Sequence, residues 1–248
     1  MKYSHPAFAP YRELLTALNG DTSLSALNAL AAAMDIRHGG KPLRFTASNG
    51  PLSAAGYETA IGTRGQVPTR ENNPHDFLNA LVWLRFPQLK SALNLRHCQA
   101  LALHPDEGKQ RGRLRDQLTL LDESGLLVSS AKPELLERLR EKCWVELFWE
   151  ARAEVIEHMQ FIVVGHGLLD KCLTPFPAMT GKCLFLHTAE NSLAALDALA
   201  AGTVCDAEAL ELPPLPIQGV PGWDSNDEPA YYRNADIFRP KQSLGAFA

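Results

Sequence analysis

The sequence predicts a helix-dominated α+β fold, formed as a single domain over residues 1–248. Three observations support this prediction. Apolar residues recur with helical spacing in several segments, two other segments have the turn residues and β-prone flanks of small β-hairpins, and the chain changes character from Leu212, where proline and aromatic residues become frequent without periodicity. We therefore expect N-terminal helices over residues 1–40, a core over residues 41–211, and an extended C-terminal arm over residues 212–248 that packs on the core.

The composition is that of an ordinary folded protein and argues against several classes. A chain of 248 residues is long enough to bury one large core. The formal net charge of −4 provides no bulk attraction to a polyanion, so nucleic acid is an unfavoured partner, although the basic run Lys109–Arg115 leaves a local contact open. The longest apolar stretch, Phe161–Leu169, is far shorter than the ~20 residues that cross a bilayer, so no membrane partner is expected.

The cysteines and the N-terminus predict a cytoplasmic protein. An odd number of cysteines with no C-x-x-C pair argues against a disulfide framework and against a zinc knuckle. The N-terminal segment lacks the long apolar run of a secretory signal. The oligomeric state is left open. The five cysteines are Cys98, Cys143, Cys172, Cys183 and Cys205.

The first part of the chain predicts two helices followed by a hairpin. Helical patterns cover Tyr11–Gly20 and Thr22–Met34, with a glycine to end the first and Asp21 or Thr22 to cap the second. The β-prone stretches LRFTA (Leu43–Ala47) and YETAI (Tyr57–Ile61) flank a turn-rich segment and predict the first hairpin.

The segment PTRENNPHDFLNALVWLRFP (Pro68–Pro87) predicts a helix with a polar start. Asn72 or Asn73 can cap this helix, and Pro74 suits its first position because no backbone donor is lost there. Apolar residues then recur at helical spacing up to Pro87. A second helix is expected from Gln88 to about Ala102.

The second half of the chain predicts one more hairpin, further helices and a strand. The stretches LTLLD and LLVSS flank ESG, whose glycine can adopt the positive φ of a tight turn, and together they predict the second hairpin. The remaining predicted elements are a helix over Lys132–Trp144, one long helix over Val145–Leu173, a strand over Gly181–His187 and a helix over Ala189–Gly202.

The first candidate site lies at the start of the Pro68–Pro87 helix. Helical spacing places His75, Asp76 and Asn79 on one edge, and Arg70 precedes them. An imidazole beside a carboxylate suits general acid–base chemistry and metal coordination. The alternative is structural, with Asp76 accepting hydrogen bonds from free amides at the helix start while His75 and Asn79 hold the incoming loop.

The second candidate is GHGLLDK, Gly165–Lys171. In the predicted long helix, His166 stands between two glycines, each of which costs about 1 kcal/mol relative to alanine. We expect these small residues to let another backbone or a ligand approach the imidazole. The alternative is a core histidine that is hydrogen-bonded to a carbonyl of the arm.

Further acids and one aromatic residue complete the candidates. We prefer Asp116, before the second predicted hairpin, to Asp122 and Glu123, because acids at a turn commonly serve the turn itself. Trp223 is a candidate pocket lid or a packed residue of the arm. The residues Glu150, Glu154 and His158 form a helical ridge that is either a metal site or a solvated face.

Five motifs in matching order give the chain a family resemblance. They are VPTRENNPHDFLNALVWLRFP, LRDQLTLLDESG, ELFWEARAEV, VVGHGLLDK and PLPIQGVPGW with the following PAYYRNADIFRP. From about Gly56 to Pro240, the chain resembles an uncharacterised bacterial family, domain of unknown function 3025. The resemblance implies no activity, so the chemistry must be argued from the residues.

The first functional hypothesis is an enzyme, most simply a hydrolase acting on a small anionic substrate. Its catalytic residues would be His75, Asp76, His166 and Asp116 around one polar pocket. A divalent metal, held by His75, Asp76 and His166, is the one candidate cofactor, because it would lower the pKa of a bound water. The residues that would bind the substrate are Arg70, Asn79, Lys171 and Trp223.

The second hypothesis is a non-catalytic module that binds nucleic acid, a small anion or a protein partner. The predicted hairpin followed by ENNPHDFLNALVW resembles a degenerate form of the ββα nucleases of the HNH type. The general-base histidine of that motif is missing, since Val67–Arg70 stand at its place. The His75-Asp76 dyad resembles that of HD phosphohydrolases, but the other spaced ligands of that family are absent from the sequence.

Overall fold

The structure is a computed structural model that describes residues 2–48, 50, 52–103 and 112–240. The helix-dominated α+β class is confirmed. The chain opens with a 3₁₀ turn at Pro6–Tyr11, followed by helices α1 (Arg12–Leu18) and α2 (Leu24–Ala33). The cap of α2 is Ser23, whose hydroxyl oxygen accepts a hydrogen bond from Ala26 N, rather than Asp21 or Thr22.

The predicted first hairpin is wrong, because its second half forms a helix. Two-residue strands β1 (Arg37–His38) and β2 (Lys41–Pro42) pair antiparallel, and β3 (Arg44–Ala47) pairs parallel with β4 (Gln66–Thr69). Helix α3 (Ala54–Arg64) connects β3 to β4, as a parallel pair requires, and it contains YETAI. Ser53 caps its start and Gly65, at φ 67°, ends it, so these local signals override the β-prone residues between them. This arrangement also removes the hairpin on which the likeness to HNH nucleases depended.

Three helices follow. Helix α4 (Pro74–Arg85) begins as predicted, with the Asn73 side chain accepting a hydrogen bond from Asp76 N. Its residues 77–84 are all buried, so it is a central helix rather than one with a single apolar stripe. Helix α5 spans Pro87–Leu103, and helix α6 (Arg113–Ser124) takes the place of the first strand of the predicted second hairpin. That segment is helical because Leu118 and Leu121, three residues apart, are both fully buried against the core.

The predicted long helix of residues 145–173 is also wrong. This segment forms a π-helical turn (Glu146–Glu150), helix α8 (Arg152–His158), strand β6 (Met159–Val163) and helix α9 (His166–Lys171). Before it lie strand β5 (Gly125–Ser130) and helix α7 (Pro133–Arg140). The β-branched and aromatic residues of β6 favour a strand, and β6 pairs antiparallel with β5 from Met159 to Val163.

The main sheet has four strands in the order β6-β5-β7-β8. Strand β7 (Thr180–His187) confirms the predicted strand and pairs parallel with β5, which is buried along its whole length. Helix α10 (Leu193–Asp206) runs beyond the predicted end at Gly202 because an exposed glycine alone does not stop it. Strand β8 (Pro214–Pro216) pairs antiparallel with β7 and carries the arm onto the sheet.

The described part of the C-terminal arm, residues 212–240, is packed, as the sequence predicts. After β8 it contains a 3₁₀ turn (Ile217–Gly219) and helix α11 (Pro229–Tyr232). Tyr232 and Phe238 are 2% and 3% exposed, and their ring centroids lie 5.4 Å apart. Burial of such large apolar side chains holds the arm on the core. Among the described residues, no helix has both the length and the apolar character that crossing a membrane requires.

Candidate histidine–carboxylate site

Two histidines from distant parts of the chain meet in space. His75 lies in the first turn of α4 and His166 is the first residue of α9, and these two helices pack against each other. Their rings stand edge to face, with centroids 4.5 Å apart and an interplanar angle of 65°. The structure therefore brings together the two imidazoles that the sequence hypothesis placed around one polar pocket.

The carboxylate between the two imidazoles is that of Glu123, in the last turn of α6. Its Oε1 lies 3.4 Å from His166 Nε2 and 3.9 Å from His75 Nε2. One ligand atom from each of these three residues lies within 4.8 Å of the others. Asp116, the acid that the sequence favoured, is exposed in the first turn of α6, about 10 Å of helical rise away from Glu123.

The cluster of His75, Glu123 and His166, hereafter the triad site, is open on one side. The side chains of His75 and Glu123 are 36% and 44% exposed, whereas that of His166 is 7% exposed. The buried imidazole therefore forms the floor of the site, and the other two residues form a rim that solvent reaches.

Glycine packing brings α6 and α9 together at this point. Gly165 is the residue before α9, rather than part of a long helix, and its N–H donates to Gly125 O over 2.9 Å. A Cβ atom at Gly165 would lie only 2.3 Å from Gly125 N, closer than real contacts allow. The expectation that small residues beside His166 admit another backbone is therefore confirmed, and that backbone is the end of α6.

A chain of buried and half-buried polar groups lies behind His166. The Nδ1 atom of His166 is 3.9 Å from Asp122 Oδ2, and Asp122 Oδ1 accepts a hydrogen bond from Lys90 Nζ. Lys90 also donates to Asn79 Oδ1 over 2.8 Å, and Asn79 Nδ2 donates to Tyr57 Oη over 2.8 Å. We call these five residues, His166, Asp122, Lys90, Asn79 and Tyr57, the buried chain. The last four lie on four different helices and extend from the imidazole of His166, which is the floor of the triad site.

The electrostatics keep both carboxylates beside His166 ionised. Burial acts to raise the pKa of Asp122, but the Lys90 ammonium and His166 outweigh it and hold that pKa below its ordinary value. The pKa of Glu123 is lowered, chiefly by its hydrogen bond with His166. Burial raises the pKa of Tyr57, which keeps its hydroxyl neutral. The imidazole of His166 thus lies between two negative groups.

Asp76 has a different role from the one that the sequence hypothesis gave it. Its Oδ2 accepts from Arg70 N over 2.7 Å and from Arg70 Nε over 3.0 Å, and its Oδ1 accepts from an Arg70 guanidinium nitrogen over 2.8 Å. Burial acts to raise the pKa of Asp76, but these Arg70 contacts outweigh it and the pKa is lowered. Both oxygens are engaged in closing the loop before α4, so Asp76 is not a member of the triad site.

The other candidates from the sequence lie outside the triad site. Lys171 is exposed at the end of α9, and the ring of Trp223 contacts that of His5 at 5.4 Å. In the predicted ridge of Glu150, Glu154 and His158, the last two side chains have partners outside the ridge. Glu154 pairs with Lys132, and His158 lies beside Glu157. In the basic run Lys109–Arg115, residues 109–111 lie outside the described residues.

A separate cleft of about 910 Å³ lies between α3, α5 and α10. Small side chains form much of its wall, including Gly62, Ala92 and Ala201. Neither histidine of the triad site lines it. The histidine cluster is therefore a surface site and not the floor of this cleft.

Sequence reasoning did not select four residues of the triad site and the buried chain. Tyr57 and Lys90 were not candidates, and Asp122 and Glu123 were placed below Asp116. Lys90 carried a usable signal, because it stands on a helix among apolar residues and its neighbour Leu89 is fully buried. For Asp122 and Glu123, a helical interpretation of residues 113–124 would have placed both acids in a final helical turn rather than in a hairpin loop.

Comparison with known proteins identifies a family but no characterised relative. A family model described as "Protein of unknown function (DUF3025)" matches residues 43–242 of the chain. This match begins earlier than the resemblance inferred from the five motifs and extends two residues beyond it. No curated protein and no solved structure matches the chain.

Proposed function

The chain belongs to the DUF3025 family, and from the geometry of its triad site we propose that it is a divalent-metal-dependent hydrolase. The observation that supports this most directly is the convergence of two imidazole nitrogens on one carboxylate oxygen at 3.4 and 3.9 Å. Two histidines and one carboxylate are the ligands of many catalytic zinc sites.

The distances suit a shared ion. Bonds of about 2.1 Å to a tetrahedral ion would place neighbouring ligand atoms about 3.4 Å apart. The separation between Glu123 and His166 equals this value, that between Glu123 and His75 is 3.9 Å, and all three ligand atoms lie within 4.8 Å of one another. The rim residues are partly exposed, which leaves a side from which water and substrate can enter.

The metal would supply a water molecule of lowered pKa at neutral pH. In hydrolysis, the oxygen of a water molecule would bond to the acyl or phosphoryl centre of the substrate while the bond from that centre to the leaving group breaks, and the leaving group would take up the proton of the water. The chain's own contribution is to hold the two rim residues over the buried His166. Asp122 Oδ2 lies 3.9 Å from His166 Nδ1, on the side of the ring where metal-binding histidines commonly have a carboxylate partner.

A small anionic substrate remains our proposal, with Arg70 as its binding residue. Arg70 is 57% exposed and keeps guanidinium N–H groups beyond those that Asp76 engages. We no longer assign Asn79 to the substrate, because its amide is engaged by Lys90 and Tyr57. All five cysteines are free, which supports a reducing compartment such as the cytoplasm as the place of action.

The test begins with metal content and titration calorimetry of the purified protein with Zn²⁺, Mn²⁺ and Fe²⁺. Fe²⁺ is included because the same ligand types also hold that ion in oxygenases. We expect one equivalent to bind the native protein, and His75→Ala and His166→Ala to lose it while remaining folded. Asp116→Asn is the matched control on α6 and should bind as the native protein does.

Activity is then measured on small phosphate and carboxylate esters with the metal that binds. Turnover that is lost in His75→Ala but kept in Asp116→Asn would support the hydrolase. The proposal fails if the native protein binds none of these ions and both histidine variants only lower the melting temperature.

A further inference from the structure

We propose that the cleft between α3, α5 and α10 is a second binding site, for an uncharged small molecule with an apolar body and one hydrogen-bonding head group. The cleft is separate from the triad site, because neither His75 nor His166 lines it. The inference therefore goes beyond the proposed function and does not depend on it.

The cleft has the size of a small-molecule site. Its volume of about 910 Å³ lies within the range of about 300–1,000 Å³ in which proteins bind such ligands. Helix α10 leaves this space open because it faces the cleft with Ala198, Ala201 and Gly202. A Cβ atom at Gly202 would have no neighbour within 4 Å, so no side chain of the described residues fills the space beside it.

Two large apolar side chains lie exposed in the cleft. Met34, the residue after α2, is 45% exposed, and Leu95 on α5 is 47% exposed. Exposed apolar surface in a concave site commonly marks a place where a ligand binds. An apolar molecule in the cleft would remove part of both side chains from water, which stabilises the complex in proportion to the apolar area buried.

The charged residues of the wall, Asp35 and Arg37, pair with each other. Arg37 Nε donates to Asp35 Oδ1 over 3.0 Å, and a second guanidinium nitrogen donates to Gly40 O. Burial lowers the pKa of His38 and raises the pKa of Cys98, so both of these side chains are neutral near pH 7. A charged ligand would lose hydration without gaining an unpaired counter-charge, and the wall therefore favours an uncharged one.

The position of the head group follows from the polar side chains of α5. Asn94 is already engaged, since its Nδ2 donates to Glu58 O over 2.9 Å and to Glu58 Oε2 over 2.6 Å. Gln88 and Ser91 line the same wall, and their side chains have no hydrogen-bond partner among the described residues. Both can donate to and accept from a ligand hydroxyl or amide. Leu95 is one turn beyond Ser91, so a head group at Ser91 places the apolar body over Leu95.

The test is a titration of the native protein with N-phenylnaphthylamine, an uncharged apolar dye with one N–H group whose fluorescence rises in apolar surroundings. We expect saturable binding at one site per chain, and displacement of the dye by octanol. Octanoate has the same chain length but carries a negative charge. It should displace the dye at least about 10-fold less well, because its charge would enter the cleft without a partner.

Variants that fill the cleft locate the dye. Ala201→Trp should weaken dye binding at least about 10-fold, because the new side chain would occupy the space of the ligand. Cys205→Trp fills the cleft from the next turn of α10 and serves as the second variant if the first does not fold. Ile156→Trp is the matched control, since Ile156 is 66% exposed on α8 and does not line the cleft. It should bind the dye as the native protein does.

Ser91→Ala tests the position of the head group. Loss of one hydrogen bond should weaken octanol binding about 2- to 10-fold. The melting temperature should stay close to that of the native protein, because the Ser91 hydroxyl has no partner among the described residues. An unchanged affinity for octanol would contradict this position.

The inference and the hydrolase proposal fail separately. His75→Ala, which removes a ligand of the triad site, should bind the dye as the native protein does, whether or not the native protein binds a metal. The inference is overturned if neither the dye nor octanol binds the native protein saturably, or if octanoate binds more tightly than octanol. Folded Ala201→Trp or Cys205→Trp that binds the dye as tightly as the native protein would also overturn it.

Discussion

Gly167 lies directly against the side chain of Glu123: a Cβ atom at residue 167 would be 2.5 Å from Glu123 Oε2 and 3.0 Å from Glu123 O. The first turn of α9 thus supports the carboxylate of the triad site by having no side chain there. The second glycine, Gly165, has the same relation to the backbone of Gly125. These two contacts let the first turn of α9 lie close to the end of α6, where Glu123 and His166 face each other.

Alanine at the two glycines should therefore have different effects. Gly165→Ala meets backbone atoms that cannot move aside, so we expect a loss of about 3 kcal/mol or more in the free energy of unfolding. Gly167→Ala meets the end of a flexible side chain at 2.5 Å and a single backbone oxygen at 3.0 Å, so it should cost less stability than Gly165→Ala but displace Glu123 and weaken metal binding. Urea denaturation and calorimetry measure the two effects.

Gly202→Ala is the matched control for these variants. Gly202 is exposed within α10, and a Cβ atom there has no neighbour within 4 Å. Alanine at this position should raise stability by up to about 1 kcal/mol, because glycine disfavours a helix. If Gly165→Ala is as stable as the native protein, the packing of α6 against α9 is not as described.

The choice of carboxylate ligand can be tested directly. Glu123→Gln should weaken metal binding by more than about 100-fold, beyond the 10- to 100-fold effect of partners outside the ligand set. Asp76→Asn should lower stability, since Asp76 accepts three hydrogen bonds from Arg70, but should change the metal affinity little. The opposite ranking of these affinities would restore Asp76 as the ligand that the sequence suggested.

The Lys90–Asp122 pair should be strongly coupled in stability. Lys90→Met leaves the half-buried Asp122 carboxylate without its cation, so we expect a cost toward the lower end of the range of about 3–5 kcal/mol that breaking a fully buried pair typically takes. Replacing both residues, as in Lys90→Met with Asp122→Leu, should recover much of this loss because no unpaired charge remains. Urea denaturation of the two single variants and the double variant gives the coupling energy.

An exposed ion pair supplies the control for that cycle. Lys132 and Glu154 form a 2.8 Å pair whose side chains are 33% and 50% exposed. Lys132→Met should change stability little, since solvent stabilises the remaining carboxylate. Equal effects at the two lysines would contradict the buried character of Lys90.

Glu58 should make stability depend on pH. Burial raises the pKa of Glu58 to about 7, against an ordinary value of 4.5, although Asn94 donates a hydrogen bond that opposes the rise. Between about pH 4.5 and 7, the folded protein keeps a proton that the unfolded chain releases, so this group lowers stability as the pH rises through that window. Above about pH 7 the effect is complete, on the order of 3 kcal/mol.

Glu58→Gln removes the titrating carboxyl group, and the amide oxygen of glutamine can still accept the hydrogen bond from Asn94. The difference in unfolding free energy between the variant and the native protein should therefore grow from pH 5 to pH 8 in favour of the variant. Urea denaturation at several pH values measures it. Parallel stability curves for the two proteins would show that Glu58 does not titrate in this range.

The elements that the sequence predicted correctly are those with strong local signals. Asn73 and Pro74 specify the start of α4, and the dense aromatic residues of the arm require burial, so both features follow from chemistry within a few residues. The mistaken elements share a different property. YETAI in α3 and LTLLD in α6 consist of residues that suit either a strand or a helix. The caps at the two ends of α3 decided the first case, and burial of Leu118 and Leu121 against the core decided the second.

The same division applies to the triad site. The sequence by itself determined the helix-dominated class, the packed arm, and the choice of His75 and His166 as unusual histidines. Only the tertiary structure decided that Glu123, rather than Asp76 or Asp116, is the carboxylate between them, and that Lys90 lies behind His166. The reason is physical: local propensities act over a few residues, whereas the neighbours of a side chain depend on how α4, α5, α6 and α9 pack, which residues distant in the chain determine together.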